Sequence, residues 1–266
     1  MRIAITGAAG DIGTVLRQRL DRSRFELVLL DRTSIDASPP DLAFQVDLAD
    51  RDGLGAAFAG VDSVVHLGAV PHEDEFETIL ENNVVGTRNV YDAAVAAGVR
   101  RLVFASSAHV TGFYPWGRQT GPDDAPRPDT YYALSKLYGE NLGRVFHQRF
   151  GVEVVNLRIG GFAREPWGPW LRSGWLSFGD ATALFTAALT APDVGFLTCY
   201  GVSANTRPMH SRQGWDVLGY RPVDDAEDHR SARVDEPVLT WQGEDFTDPG
   251  YFGTPEHPRR RRPAAP

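Results

Sequence analysis

Several residue types are scarce in this sequence, and each shortage excludes a class of protein. Among 266 residues there is one cysteine, Cys199, which excludes an internal disulfide framework and suits a reducing cytoplasm. It lies in the apolar run GFLTCYG, which favours a buried strand residue over a nucleophile. No apolar run approaches membrane-spanning length, and the amino terminus MRIAITGAAG lacks the apolar stretch of a signal peptide. We therefore expect a cytoplasmic protein without a membrane partner.

An excess of positive charge is also lacking. The formal net charge is −8 at pH 7, which gives no general attraction to nucleic acid. The one basic cluster, Arg259–Arg262, is flanked by prolines. We interpret residues 251–266 as a disordered tail, with a partner-binding tail as the alternative. No set of metal ligands stands out.

The first 160 residues alternate between apolar runs bounded by turn residues and segments with helical periodicity. Strands this apolar, each followed by a helix, predict a parallel sheet covered on both faces, which is a Rossmann-type, doubly wound α/β fold. The clearest helices are Val84–Ala97 and Tyr131–Phe150. The predicted strands are RIAIT from Arg2, Phe25–Asp31, Leu42–Asp47, Ser63–Gly68, Arg101–Ser107 and Val152–Gly160.

The pattern changes after this stretch, so we divide the chain into a core (1–160) and a small region (161–250). Arg164–Asp180 is dense in Trp, Gly and Pro and predicts no regular element. A helix at Ala181–Leu189, a strand at Gly195–Tyr200 and a short helix before LGYRP follow. We expect this region to pack on the carboxyl edge of the sheet as a substrate-binding lid.

The first predicted strand runs into TGAAGDIG, whose Gly7, Gly10 and Gly13 precede a helix. Glycines at such a turn let the backbone approach a pyrophosphate, whose charge then meets the helix N-terminus. Asp31, at the end of the second strand, can accept hydrogen bonds from an adenosine ribose and repels a 2′-phosphate, which favours NAD over NADP. Arg32 beside it argues for NADP, and a plain tight turn is the remaining alternative.

Other strand ends complete the predicted cofactor site. Asp47 and Leu48 follow the third strand, where adenine is expected, and the segment after His66 passes beneath the middle of the cofactor. The full predicted set is Gly7, Ala9, Gly10, Asp11, Ile12, Gly13, Asp31, Arg32, Asp47, Leu48, Leu67, Gly68, Ala69, Tyr132, Lys136 and Ile159.

Lysine is nearly absent: the chain has one, Lys136 in TYYALSK, and 26 arginines. Residues four apart share a helix face, so the partner of this lysine is Tyr132 and not Tyr131. A phenol has a pKa of about 10 and becomes a base at neutral pH when positive charge stabilises the phenolate. A compact ammonium supplies that charge and can also bond ribose hydroxyls, whereas a planar guanidinium suits carboxylates and phosphates. Ser107, at the end of the fifth strand, is the predicted hydroxyl partner, chosen over Ser106.

Seven features follow one another along this part of the chain: TGAAGDIG, Asp31, DLAD at Asp47, HLGA at His66, NNVVGT at Asn82, FASSAH at Phe104 and YALSK at Tyr132. Together they resemble the extended short-chain dehydrogenase/reductase superfamily. GFYPWGR, RIGGF, GVSAN and LGYRP are most similar to the NAD-dependent uronate dehydrogenases of the NAD-dependent epimerase/dehydratase family. The resemblance implies oxidation of a pyranose uronic acid at its anomeric carbon, with hydride passing to NAD. It also implies roles for Tyr132 as base, Lys136 as ribose anchor, Ser107 as hydroxyl partner and Asn83 as structural and proton-relay residue.

The substrate side departs from that resemblance. Ala108 stands where the resemblance implies asparagine, although His109 matches. Gly161 and Pro71 stand where serines are implied, and Trp170 stands where an arginine would hold the carboxylate. The implied substrate set is Pro71, His72, Ser107, Ala108, His109, Gly160, Gly161, Arg164, Trp170 and Arg172.

Two interpretations of these departures stay open. Arg164 or Arg172 can supply a carboxylate clamp from a shifted lid, since a guanidinium is the natural partner of a planar anion. Alternatively, the side chains of Trp167, Trp170 and Trp175 form a sugar-stacking wall for a substrate without a carboxylate, or simply pack the lid onto the core.

Three functions are therefore compatible with the sequence. The first is an NAD-dependent dehydrogenase of a small sugar or sugar acid, which the complete serine, tyrosine and lysine set and the short lid favour. The second keeps the site but uses hydride transiently, as in nucleotide-sugar epimerases and dehydratases, or reduces a ketone on a larger natural-product intermediate. The third is a cofactor-binding sensor without useful catalysis. In related folds the helices predicted at Val84–Ala97 and Tyr131–Phe150 form a dimer interface, so a homodimer is one expectation.

Overall fold

A sheet of parallel strands organises the structure, a computed structural model that describes residues 1–229 and 239–254. Seven strands form the central sheet and two short ones, β7 and β8, form a separate pair. In chain order the strands are β1 (Arg2–Thr6), β2 (Glu26–Asp31), β3 (Leu42–Gln45), β4 (Ser63–His66), β5 (Arg101–Ser107), β6 (Glu153–Ile159), β7 (Gly161–Phe162), β8 (Trp175–Leu176) and β9 (Phe196–Gly201).

The strand order of the central sheet is β3-β2-β1-β4-β5-β6-β9. This order reverses direction between β1 and β4, where ligands bind in doubly wound sheets, at the carboxyl ends of the strands. The predicted Rossmann-type fold is confirmed. The helices are α1 (Asp11–Arg19), α2 (Arg51–Ala57), α3 (Phe76–Ile79), α4 (Gly86–Ala96), α5 (Tyr131–Phe150), α6 (Gly168–Gly174), α7 (Phe178–Thr190) and α8 (Trp215–Leu218).

Both faces of the sheet are buried, because alternate strand residues point into two separate apolar layers. Ile3 and Ile5 enter the layer that also contains Leu184 of α7. Ala4, between them, enters the opposite layer with Leu54 of α2. The strands thus carry apolar residues at nearly every position, which explains the continuous apolar runs in the sequence.

The helix predicted at Val84–Ala97 begins earlier than expected. Helical backbone starts at Phe76, passes through a π-helical stretch at Leu80–Val85 and continues as α4. The polar residues in this stretch interrupt the apolar periodicity and concealed the helix. The π-helical turn carries a buried asparagine, Asn83, whose amide nitrogen donates to the carbonyl of Val70.

The prediction of no regular element at Arg164–Asp180 was wrong. This stretch contains α6 and β8, and α7 begins within it. Tryptophan stabilises the turns here because indole N–H groups bond backbone carbonyls: Trp170 donates to Gln242 and Trp175 to Ala163. β9 also joins the central sheet beside β6, so the region after residue 160 contributes to the core as well as covering it.

The predicted disorder of residues 251–266 was wrong for the first four of them. Tyr251 is buried, and the N–H of Gly253 donates to a buried carboxylate, that of Glu73. Residues 255–266, which include Arg259–Arg262, lie outside the described residues. Among the residues that the structure describes, no helix has the length and apolar character needed to cross a bilayer. The cytoplasmic location and the homodimer stay predictions.

Candidate active site

The glycine-rich turn between β1 and α1 leaves no room for a side chain at Gly7 or at Gly13. Gly7 has φ of +68°, and a Cβ atom there would lie 2.7 Å from the backbone nitrogen of Gly68. A Cβ atom on Gly13 would lie 2.5 Å from the carbonyl oxygen of Gly7. The turn therefore keeps its backbone free of side chains at Gly7 and Gly13, at the start of a helix, which fits the pyrophosphate of a dinucleotide.

Asp31 lies directly beside this turn. Its Oδ2 accepts the backbone N–H of Ala9 at 3.0 Å and its Oδ1 accepts that of Thr33 at 2.9 Å. The carboxylate is thereby held at the end of β2 next to the glycines, where the ribose of a dinucleotide is expected. Arg32 follows it with an exposed side chain.

The other predicted cofactor residues also lie along the carboxyl edge of the sheet. Asp11 and Ile12 begin α1, and Ile159 ends β6. The side chain of Leu48 lies against Gly68, the residue that also approaches Gly7. The contacts of these residues with a cofactor stay predictions.

Ser107, Tyr132 and Lys136 come together where the end of β5 meets the first turns of α5. Ser107 lies beside Tyr132, where its hydroxyl lowers the pKa of the phenol, and the Nζ of Lys136 lies 5.5 Å from the centroid of the Tyr132 ring. Ser106 points to the opposite side of its strand, where its hydroxyl donates to Glu140 at 2.6 Å. The alternation along the strand thus selects Ser107 over Ser106 for this site.

Burial dominates the electrostatics of the two titratable groups. It raises the pKa of Tyr132 to about 12, against the lowering effect of the neighbouring Ser107 hydroxyl, and Asp129 and Tyr251 raise it further. Burial lowers the pKa of Lys136 to about 8. At neutral pH the phenol therefore keeps its proton while the lysine is mainly an ammonium, so Tyr132 needs added positive charge before it acts as a base.

Tyr131 faces away from this cluster, as the helix-face argument predicts. Its ring packs on Phe252 at 4.3 Å and on Phe76 at 5.2 Å between centroids. The side chain is half-buried and takes no place beside the lysine.

His109 forms the next part of the site. Its Nδ1 is hydrogen-bonded to the buried carboxylate of Asp129 at 2.7 Å. The imidazole stacks on Phe246 at 3.9 Å and lies nearly parallel to Trp170 at 6.1 Å, and its centroid is 6.4 Å from that of Tyr132. Two aromatic rings and an imidazole thus line the space beside the tyrosine.

The glycine at position 161 and the tryptophan at position 170 are linked by packing. A Cβ atom on Gly161 would overlap the side chains of Leu171 and Trp170. The Trp170 indole is fixed because its N–H donates to the carbonyl of Gln242 at 2.6 Å. The absence of a side chain at Gly161 therefore permits the position that Trp170 occupies.

The two arginines predicted as carboxylate clamps have other contacts. Arg172 forms an ion pair with Glu227 at 3.2 Å, and the guanidinium of Arg164 lies over the ring of Phe178 at 5.8 Å. The tryptophans also separate, because Trp175 is buried against Leu171 and Ala226 and Trp167 is largely exposed. The predicted three-tryptophan wall is therefore wrong, since Trp170 stands without the other two beside His109.

Two predicted substrate residues lie at the surface, and three residues of the site were not predicted. Pro71 and His72 have exposed side chains. Sequence reasoning missed Glu73, Asp129 and Phe246. Asp129 carries a weak signal, because it precedes Thr130, the N-cap of α5, whereas Glu73 lies in the acidic run EDEFE and resembles a solvated surface.

The profile described as NAD dependent epimerase/dehydratase family matches residues 3–162. The chain belongs to this family. A uronate dehydrogenase from Pseudomonas syringae pv. tomato is 40% identical over 95% of each chain. An L-arabinose 1-dehydrogenase (NAD(P)(+)) from Haloferax volcanii is 37% identical over 85% of this chain and 97% of that one. A crystal structure of a mutant Agrobacterium tumefaciens uronate dehydrogenase complexed with NAD is 38% identical, with a TM-score of 0.87 over 92% of this chain and 96% of that one.

Family membership together with the full-length similarity to uronate dehydrogenases confirms two predictions, an NAD-dependent dehydrogenase and NAD as its cofactor. The similarity to uronate dehydrogenases that the sequence indicated is also confirmed, since identity extends over nearly the whole chain. The roles of individual residues stay predictions.

Proposed function

We propose that this enzyme oxidises a small pyranose at its anomeric carbon to the corresponding lactone, with a uronic acid as the first candidate substrate. One observation carries the proposal: Tyr132 lies beside Ser107 and has Lys136 on its own helix face, at the sheet edge that carries the glycine turn. The uronate dehydrogenase that is 40% identical over 95% of each chain supports the substrate class.

Each residue of the cluster has one part in the proposed reaction. Tyr132 removes the proton of the hydroxyl on the anomeric carbon while Ser107 holds the same oxygen by a hydrogen bond. The Lys136 ammonium stabilises the phenolate and bonds the ribose of the cofactor. NAD, when bound on the glycine turn and Asp31, accepts the hydride from that carbon, so that loss of one hydride and one proton leaves the lactone carbonyl.

The buried position of the tyrosine sets its dependence on neighbouring charge. With the pKa of Tyr132 raised to about 12, the phenol is a poor base at neutral pH without stabilisation of its anion. The ammonium of Lys136 supplies part of that stabilisation from within the same helix turn. The aromatic surroundings exclude water, which strengthens this interaction.

A neutral aldose is the second candidate substrate, oxidised by the same steps. Trp170 lies parallel to His109, and an aromatic ring can pack on the apolar face of a sugar. A uronate carboxylate calls for a guanidinium, whereas Arg172 is already paired with Glu227. The L-arabinose 1-dehydrogenase that is 37% identical supports this alternative.

Matched sugars decide between the two candidates. NADH formation is followed by absorbance with galacturonate, galactose and arabinose, which differ in carrying a carboxylate, a hydroxymethyl group or nothing at the last ring carbon. A preference for galacturonate in kcat/KM supports the uronate, and a preference for either neutral sugar supports the aldose. Absence of turnover with these sugars and with glucuronate and glucose, in protein that binds NADH, contradicts both candidates.

A further inference from the structure

A carboxylate outside the proposed catalytic cluster contacts the backbone of its tyrosine. Glu73 is fully buried in the loop between β4 and α3. Its Oε2 accepts the N–H of Tyr132 at 2.8 Å and its Oε1 accepts that of Tyr131 at 3.1 Å. The Thr130 hydroxyl accepts the N–H of Ala133 at 3.0 Å. These contacts satisfy the first three N–H groups of α5, which have no acceptor within the helix.

The same carboxylate binds the far end of the described chain, here named the C-terminal segment (residues 239–254). Its Oε1 also accepts the N–H of Gly253 at 2.9 Å. Phe252, next to that glycine, packs on Tyr131, and Tyr251 is buried in one cluster with Tyr132. One side chain thus joins the first turn of α5 to the C-terminal segment.

The C-terminal segment forms a wall of the candidate active site. Phe246 stacks on His109, and the carbonyl of Gln242 accepts the indole N–H of Trp170. The backbone N–H of Gln242 donates to the Tyr114 carbonyl at 2.9 Å, which docks the segment beside the loop after β5. A displacement of this segment would therefore move the aromatic groups beside the substrate.

The chemistry at position 73 requires two acceptor oxygens. A buried carboxylate is costly unless it is hydrogen-bonded, and here three N–H groups and the positive end of a helix stabilise it. Glutamine offers one carbonyl oxygen, and its NH2 group cannot accept a hydrogen bond. In a Glu73→Gln protein, either Tyr132 or the pair of Tyr131 and Gly253 loses its acceptor.

We propose that Glu73 is a positioning residue that couples the C-terminal wall of the substrate site to the alignment of Tyr132. When the segment is docked, Gly253 and Tyr132 share one carboxylate, so the wall and the base are held in a fixed relation. The catalytic part of this inference rests on the proposed function, whereas the coupling between the two backbone segments does not.

Glu73→Gln tests the proposal, with Glu75→Gln as the matched control on an exposed glutamate of the same loop. We expect Glu73→Gln to lower kcat by about tenfold or more and to raise KM for the sugar, since small displacements of a catalytic group are costly. The primary isotope effect with sugar deuterated at the anomeric carbon should increase, and NADH affinity should stay unchanged. Glu75→Gln should match the wild type in all four quantities.

Hydrogen exchange measured by mass spectrometry tests the coupling without any substrate. Glu73→Gln should accelerate amide exchange both in residues 239–254 and at Tyr131 and Tyr132. Phe252→Ala, which truncates a half-exposed ring of the C-terminal segment, should accelerate exchange at the same two tyrosines. This second variant keeps the test available where Glu73→Gln does not fold.

Three results overturn the proposal. The first is unchanged exchange in residues 239–254 of the Glu73→Gln protein, and the second is unchanged exchange at Tyr131 and Tyr132 of the Phe252→Ala protein. The third is a Glu73→Gln protein of lower thermal stability with the kcat, KM and isotope effect of the wild type, which would make Glu73 a helix cap and nothing more. Accelerated exchange in a protein inactive on every sugar would instead locate the failure in the proposed function.

Discussion

Two adjacent tyrosines show how much a single residue step decides on a helix. Tyr132 is buried beside Ser107, while Tyr131 packs between Phe76 and Phe252. The difference follows from the rotation of about 100° per residue in an α-helix. Sequence spacing alone therefore paired the lysine with the tyrosine that lies beside it in the structure.

We predict that Tyr132→Phe lowers kcat by a factor of about 10² to 10⁴, because the variant keeps the ring and loses the acid–base hydroxyl. Tyr131→Phe should leave kcat close to the wild-type value. Initial rates of NADH formation on an accepted sugar, with NADH affinity as a check of folding, measure both. Equal losses in the two variants would contradict the assignment of the base.

The residues that sequence reasoning missed share a physical cause. Glu73 and Phe246 reach the site through contacts with partners far along the chain, His109 for the phenylalanine and Gly253 for the glutamate. The sequence around Glu73 is acidic and does not indicate that this side chain is buried. Phe246 belongs to no periodic apolar pattern that would predict its contacts. Lys136, by contrast, was visible because its partner lies four residues away on the same helix.

Among the elements, the turn from β1 to α1 has a strict geometric requirement at Gly7. Gly7 combines a positive φ with a close approach to Gly68, so both its backbone and the missing side chain matter. We predict that Gly7→Ala abolishes measurable NADH binding, because the added methyl group pushes the turn and Gly68 apart. Isothermal titration or NADH fluorescence measures the affinity.

Gly55→Ala is the matched control for that change. Gly55 lies within α2, and a Cβ atom there meets nothing within 4 Å. Alanine should therefore raise the free energy of unfolding by about 0.5 to 1 kcal/mol while NADH binding stays unchanged. Comparable NADH affinity in Gly7→Ala and Gly55→Ala would refute the role of the bare turn.

Element boundaries followed from sequence where apolar periodicity and capping agreed. α5 runs from Tyr131 to Phe150 as predicted, because Thr130 caps its start and Gly151 ends it in the left-handed region. α6 was missed because its seven residues include Gly168 and Pro169, which local propensity places in turns. Its tertiary contacts, such as that of Trp170 with Gln242, are not encoded in local pattern.

At the scale of the whole molecule, burying the charged Lys136 lowers the free energy of unfolding, although the proposed reaction needs this residue. Burial disfavours its charged form, and its folded pKa of about 8 lies below the ordinary value of 10.5. Below pH 8 the folded state therefore bears the cost of a buried ammonium, and this cost is relieved as pH rises from 8 toward 10.5. The free energy of unfolding should increase with pH across that window.

We predict that Lys136→Met raises the free energy of unfolding of the NAD-free protein at pH 7 by roughly 3 kcal/mol. The same substitution should abolish turnover, because the phenolate loses its stabilising charge. Urea denaturation at pH 7 and at pH 10 measures the first effect, and the gain in stability should shrink at the higher pH. A variant less stable than the wild type at pH 7 would show that the ammonium contributes more through its contacts than its burial costs.

The fold as a whole was the most predictable feature, because alternation of apolar strands and helices is repeated many times along the chain. The sheet order places the glycine turn, Asp31, Ser107 and α5 along one edge without any further information. The local sequence did not predict the part of the substrate site that residues 239–254 form. It depends on how residues 239–254 return to the start of α5, which long-range packing decides.

Because its single lysine is buried, this protein can be labelled selectively by reagents that react with amines. Reagents that acylate amines meet a Lys136 that is only 5% exposed, while the amino group of Met1 is exposed and donates to the carbonyl of Arg24. Dyes, cross-linkers and activated resins should therefore attach at the amino terminus of the folded protein, in one defined orientation. Denaturation would then be reported directly by the appearance of a second labelled amine.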